Sequence, residues 1–348
     1  MLRSGAHEPR WNLPALVGLL LFLPVLACLT SCSDTLVSRQ QTDDLSGYLL
    51  GLDYGASNSD VWRKPDEDTR ERFAVVFQTF LSEDYERANR LGREIGYEVI
   101  HYPATAGANS HSVLRETHAL SEEGFLGGGT YVLNPYGHNV VIEVPHPVKD
   151  SFTAAQGIET YLQLPARLLM LAGTLRDAST QLSDCSDGHY RASDVAHQTD
   201  AFFYVAHKVV NDYDPQTVFL QLHGFGSRTL TRLQQQCGTG NDRLINLSEG
   251  VRAAADGEAD TLLEYLEAAL EQPGSIEACI YGRDTHSLGG TWNVEGRYSN
   301  HSPEPCTLNA VQATGRFIHF EQSYRVREAY RREVVEAVAK AIERLGTQ

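Results

Sequence analysis

The order of its apolar runs predicts an α/β protein, with a mixed, mostly parallel sheet flanked by helices on both faces. Strand-like runs alternate with runs of helical period from residue 73 to the C-terminus. The 348 residues are 42% hydrophobic and 21% charged, an ordinary globular balance that is too apolar for disorder. No internal repeat or low-complexity array interrupts the pattern. The net charge of −16 argues against a nucleic-acid partner, which requires basic surface to displace phosphate counterions.

In chain order, Arg3 and Arg10 precede an uncharged stretch from Trp11 to Ser33, with the apolar run LVGLLLFLPVLACLTSC. Its length suits either a signal peptide or an anchor, and Pro14 and Pro24 weaken a straight membrane helix. The run ends in Leu29-Thr30-Ser31-Cys32, which resembles the bacterial lipobox. That resemblance implies cleavage after residue 31, acylation of Cys32 and a membrane-anchored envelope protein. Ser33 in place of Asp after the cysteine favours the outer membrane. Without the leader the charge is −17, since Arg3, Arg10 and Glu8 leave with it. Cys185, Cys237, Cys279 and Cys306 are then an even set in an oxidising compartment, which suits two disulfides in one of three connectivities.

Residues 32–70, rich in Ser, Asp and Gly, are expected to be a tether, and residues 71–348 a single domain. Residues 73–96 carry a helical period, followed by strand-like YEVIHYP, GGTYVLNP and NVVIEVPHP. Residues 153–173 read as one long helix kinked at Pro165. AFFYVAHKVVND (helix), TVFLQLHGF (strand), DTLLEYLEAALEQ (helix), IEACIYGR (strand) and RFIHFEQ (strand) follow. A closing amphipathic helix gathers Val326, Val334, Val335, Val338 and Ile342 on one face.

In such sheets chemistry collects beyond the carboxyl ends of strands. Three strand ends carry it here: His146 and Asp150 after NVVIEV, His223 after TVFLQL, and Glu321 after RFIHF. Two imidazoles and a carboxylate can hold a divalent zinc and leave its fourth position open. A carboxylate from another strand can act as general base toward a water there. Asp150 also suits a helix cap, and Glu143, three residues before His146, is an alternative carboxylate ligand. Asp194 either caps a short helix or orients a ligand together with His197, which could itself ligate or donate a hydrogen bond. Arg176, Arg191, Asn293 and Arg297 are candidate grips for an anionic substrate, because a guanidinium offers planar paired donors.

The pattern His146-x3-Asp150, His223 and Glu321 is similar to the zinc carboxypeptidase-like hydrolases, near the N-formylglutamate amidohydrolase and poly-γ-glutamate hydrolase branch. The resemblance spans residues 140–327 and implies a phosphorylase/hydrolase-like fold. By it, Zn2+ is held by His146, Asp150 and His223, with Glu321 as base. The implied reaction is hydrolysis of an amide or peptide bond in an N-acyl-amino acid, γ-glutamyl or carboxypeptidase-type substrate. The family's His-x-x-Glu is His-x3-Asp here, which favours the alternative of a non-catalytic binding or structural module on the same fold. A serine-hydrolase reading lacks its Gly-x-Ser-x-Gly elbow, and Gly127-Gly128-Gly129 carries no Walker or dinucleotide fingerprint.

Overall fold

The computed structural model describes residues 39–40, 44–104, 109–252, 261–272 and 274–346. The expected leader 1–31 and Cys32 lie outside the described residues. Residues 36–348 form one compact unit.

The first elements are β1 (Arg39–Gln40), α1 (Leu45–Leu50), α2 (Glu67–Leu81), α3 (Tyr85–Arg93), β2 (Tyr97–Tyr102), β3 (His111–Glu116) and β4 (Thr130–Leu133). The chain continues through β5 (His138–Val144), α4 (Thr153–Gln163), β6 (Ala166–Leu171), α5 (Phe202–Tyr213), β7 (Val218–Gly224), α6 (Ser227–Cys237) and β8 (Leu244–Ser248). It ends with α7 (Leu262–Glu271), β9 (Glu277–Ile280), α8 (Val294–Ser299), β10 (Phe317–Gln322), α9 (Tyr324–Ala329) and α10 (Arg331–Gly346).

The described strands form one sheet in the order β1-β2-β3-β4-β6-β5-β7-β10-β8-β9. Its centre, β6-β5-β7-β10, is parallel throughout, while β2, β3 and β4 pair antiparallel on one side and β8 antiparallel on the other. The class is therefore a mixed α/β sheet. One face packs Ile142, Leu220 and Ile318 against α1, α4, α7 and α10 residues such as Leu49, Ile158, Leu266 and Val338. The other packs Val141, Phe219 and Phe317 against Phe73, Phe77, Phe202 and Phe203 of α2 and α5. Two disulfides, Cys185–Cys306 and Cys237–Cys279, select one of the three connectivities. No helix among the described residues is long and apolar enough to cross a membrane.

Several local expectations change. The run 153–173 is not one kinked helix: α4 stops at Gln163 and β6 enters the sheet centre from Ala166. A short, wholly apolar run such as Leu168–Leu171 has no period to separate buried strand from buried helix, and burial on both faces selected strand. The helical run from residue 73 breaks at Glu83, whose φ is positive, and restarts under the Asp84 cap. The closing helix is two helices divided at Tyr330, with Val326 on the first. The expected tether is folded from Asp44 onward, because Leu45 and Leu49 of α1, with Tyr54 and Trp62, are buried.

Candidate metal centre

Because β5, β7 and β10 lie side by side and parallel, their carboxyl ends open at one edge. Register sets Glu321 beside His223 and His319 beside Gln221, with Glu143 on the other flank of Gln221. Strand alternation places these side chains on the face that carries Phe219 and Phe317 deeper in the sheet. That face therefore turns from apolar to polar as it approaches the edge.

His146 lies two residues past β5 in a tight loop, where the Asp150 N–H donates to the His146 carbonyl and the Thr153 hydroxyl contacts both carbonyls. Asp150 makes no side-chain cap to α4. Its Oδ2 sits 3.1 Å from His146 Nδ1 and 3.6 Å from His223 Nδ1, and the two imidazole nitrogens are 3.2 Å apart. Tetrahedral ligands about 2.0–2.1 Å from a zinc ion stand about 3.3 Å from one another, so the triangle fits one face of such a site. Each imidazole has its far nitrogen tied: His146 Nε2 to Asp194 Oδ1 at 3.0 Å, and His223 Nε2 to Gln221 Oε1 at 2.6 Å. The near nitrogens are left facing one another and the carboxylate. Three electron-pair donors converging in a buried place can hold a metal ion.

The electrostatics of the metal-free cluster agree. Burial alone disfavours a charged His146, but Asp194 and Asp150 outweigh it and raise the imidazole to about 9. The two carboxylates that raise it would favour a bound cation in the same way. Burial and the neighbouring His146 lower His223 to about 4. Burial pushes Asp150 up, yet His146 and His223 hold it well below the usual carboxylate range. Asp194 behaves alike: His197 and His146 overcome its burial. Asp194 caps nothing with its side chain, since its Oδ1 bridges His146 and His197 Nδ1 at 3.1 Å.

A cavity of about 420 Å3 opens above this cluster, with Glu321, His319, Arg176, Tyr190 and Trp292 in its wall. Burial, then the Asp150 charge, pushes the Glu321 carboxyl up to about 8. Neither Arg325 nor Arg327 pairs with it: Arg325 binds Glu328, and Arg327 binds the carbonyls of Ser151, Gln322 and Phe225. Glu321 Oε2 and His319 Nδ1 are buried with no hydrogen-bond partner among the described residues. Tyr190 stacks on His197 at 3.4 Å, and Trp292 meets Tyr190 edge-on.

The expected grips divide. Arg176 reaches the cavity, with Nη1 3.3 Å from Asp150 Oδ1. Arg191 instead donates to the Thr180 carbonyl. Arg297 is buried, its guanidinium held by the carbonyls of Thr291, Pro305 and Cys306 and by Asn309. Asn293 caps α8 through Oδ1 and turns its amide to Gln221. Arg297 and Asn293 are thus spent on bonds within the fold, and neither Arg191 nor Arg297 lines the cavity. Glu143, the alternative ligand, lies apart from the triangle, bonded to His207 and Gln221. His319 and Gln221 have no role in the sequence reading, although both stand two residues from Glu321 and His223, on the same strand faces.

No protein-family model matches the chain, and no curated protein sequence does. Among solved structures, the chain is similar to N-formylglutamate amidohydrolase from Ralstonia eutropha JMP134, at 12% identity and TM-score 0.37, covering 64% of this chain and 99% of that one. It is also similar to a protein of Shewanella denitrificans OS-217 assigned as a carboxypeptidase A, at 13% identity and TM-score 0.36, covering 76% of this chain and 68% of that one.

Proposed function

We propose that the protein is a zinc-dependent hydrolase of amide or peptide bonds, held in the bacterial envelope by a lipid on Cys32. The observation that carries the reading is the triangle of His146 Nδ1, Asp150 Oδ2 and His223 Nδ1, whose two histidines line a cavity that also presents Glu321. Two imidazoles and one carboxylate suit zinc and leave a position open. Zinc so held supplies a Lewis acid and makes a water there easier to deprotonate.

Glu321 would accept a proton from the attacking water and return it to the leaving nitrogen, a duty suited to a carboxyl raised toward neutrality. Arg176 offers N–H donors to the carbonyl oxygen as negative charge grows there. Asp194 holds His146 in orientation, and Gly224 N–H donates to Asp150 Oδ2 at 3.0 Å, fixing the carboxylate. His319 faces the cavity beside Glu321, with its Nε2 3.9 Å from Glu321 Oε1, placed to hydrogen-bond the substrate. Tyr190 and Trp292 give the substrate an aromatic wall.

The test is hydrolysis of N-acyl-amino acids and short peptides by zinc-loaded protein beside Glu321→Gln. Turnover that Glu321→Gln removes while zinc stays bound supports the reading. Equal turnover in both proteins, or none in either, contradicts it. Mass spectrometry of the mature protein tests the anchor, since an unmodified Cys32 rules it out.

A further inference from the structure

We infer that Gln221 is a positioning residue: it locks His223 in the tautomer that carries its hydrogen on Nε2, aiming the Nδ1 lone pair at His146 and Asp150. The inference rests on the metal reading for its purpose, but its geometry stands apart.

The two ends of a glutamine amide are told apart by their neighbours. One end of Gln221 faces Glu143 Oε2 at 2.9 Å and Glu295 Oε2 at 3.4 Å. Which atom this end carries is decided at the opposite end of the amide. The other end meets Asn293 Nδ2 at 2.5 Å and His223 Nε2 at 2.6 Å. Asn293 cannot turn over, because its Oδ1 accepts the Gly296 N–H that caps α8. Gln221 Oε1 is therefore an acceptor on both sides, and His223 Nε2 must bring the hydrogen. A neutral imidazole has one N–H, which leaves Nδ1 with its lone pair.

The frame behind Gln221 is equally determined. Glu143 Oε1 receives His207 Nδ1 at 2.7 Å, and His207 Nε2 meets Ser299 Oγ at 2.9 Å. Glu143, His207, Gln221, Glu295 and Ser299 are each fully buried. A buried polar network of this size is expensive beside an apolar core, and the same strand face is apolar one step deeper, at Val141, Phe219 and Phe317. The polar groups begin directly behind His223. Asp194 ties the far nitrogen of His146 in the same way, so both imidazoles are clamped from behind.

The experiment uses the full mature chain with 15N-labelled histidine, free of metal, with His223 signals assigned through His223→Gln. Long-range 1H–15N spectra report the tautomer, and titration with zinc alone reports affinity. Wild type is expected in the Nε2–H form. Gln221→Met, similar in size but without an acceptor, is expected to lose that single form and bind zinc about 10–100-fold more weakly. Gln221→Glu keeps an acceptor oxygen toward His223 but replaces the NH2 that Glu143 accepts with an oxygen, so it is expected to keep the Nε2–H form in a protein that melts at lower temperature. Wild-type His223 in the Nδ1–H form overturns the inference whatever the variants do. So does Gln221→Met with tautomer and affinity unchanged. Wild-type protein in the Nε2–H form that takes no zinc upholds the lock and refutes the metal reading instead.

Discussion

The guanidinium of Arg327 occupies the space that a side chain on Gly224 would need. From there it binds the carbonyls of Ser151 in the loop after β5, Phe225 just past β7 and Gln322 at the end of β10. One arginine thus ties together the three strand ends that carry Asp150, His223 and Glu321. Gly224→Ala displaces that arginine and should destabilise the protein by about 1–3 kcal/mol, an ordinary overpacking cost, while weakening zinc binding. Gly226→Ala is the control, because a Cβ there meets nothing within 4 Å. Thermal melts and zinc titration of the two variants read the difference.

The raised Glu321 carboxyl gives a signed dependence on pH. In the folded, metal-free protein it titrates at about 8, well above the ordinary carboxyl value. Its favourable contribution is therefore complete below the unfolded value and is lost as pH rises to about 8. Glu321→Gln removes that loss, so the metal-free variant should equal wild type near pH 4 and exceed it by about 4–5 kcal/mol above pH 8. The same substitution should lower turnover of the zinc-loaded enzyme by about 100-fold or more. Denaturant melts across pH and an amide-hydrolysis assay check the two halves.

His319 packs its ring between His223 and Gly290 and leaves Nδ1 without a partner among the described residues. A buried polar atom so placed lowers stability unless something bonds it, and it stands ready for an incoming ligand. His319→Phe keeps a ring in the slot and removes the nitrogens. It should hold or raise the melting temperature while lowering kcat/KM about 10–100-fold. A lower melting temperature with kcat/KM unchanged would give the residue a structural role.

Arg176 and Arg297 should fail in opposite ways. Arg297→Met releases the carbonyls of Thr291, Pro305 and Cys306 and should unfold the protein at lower temperature. Arg176→Met touches a half-exposed side chain at the cavity mouth and should lower kcat about 10–100-fold with the melting temperature nearly constant. Paired melting and steady-state measurements separate them.

The strand-end residues were legible in the sequence because strand periodicity and a parallel sheet put His146, His223 and Glu321 at one edge before any contact is known. The choice between Asp150 and Glu143 was not, since it depends on how the loop after β5 winds, and sequence spacing does not state that. Arg191, Arg297 and Asn293 looked like substrate grips because a guanidinium or amide has the same donors whether it faces a cavity or a carbonyl. Only tertiary contacts decide. Strand β6 was hidden for a different reason: only Leu164 and Pro165 separate it from α4, Pro165 reads equally as a kink or a break, and the apolar run Leu168–Leu171 looks the same in strand and helix. His319 was within reach, since period two sets it on the face of Glu321.

The central claim is that His146, Asp150 and His223 hold one metal ion. Anomalous diffraction at the zinc absorption edge, from crystals of the purified protein supplied with zinc, tests it most directly. The expected result is a single strong peak about 2.0–2.1 Å from His146 Nδ1, a carboxylate oxygen of Asp150 and His223 Nδ1. An empty triangle with the three side chains in place, or a peak held by other residues, would contradict the account.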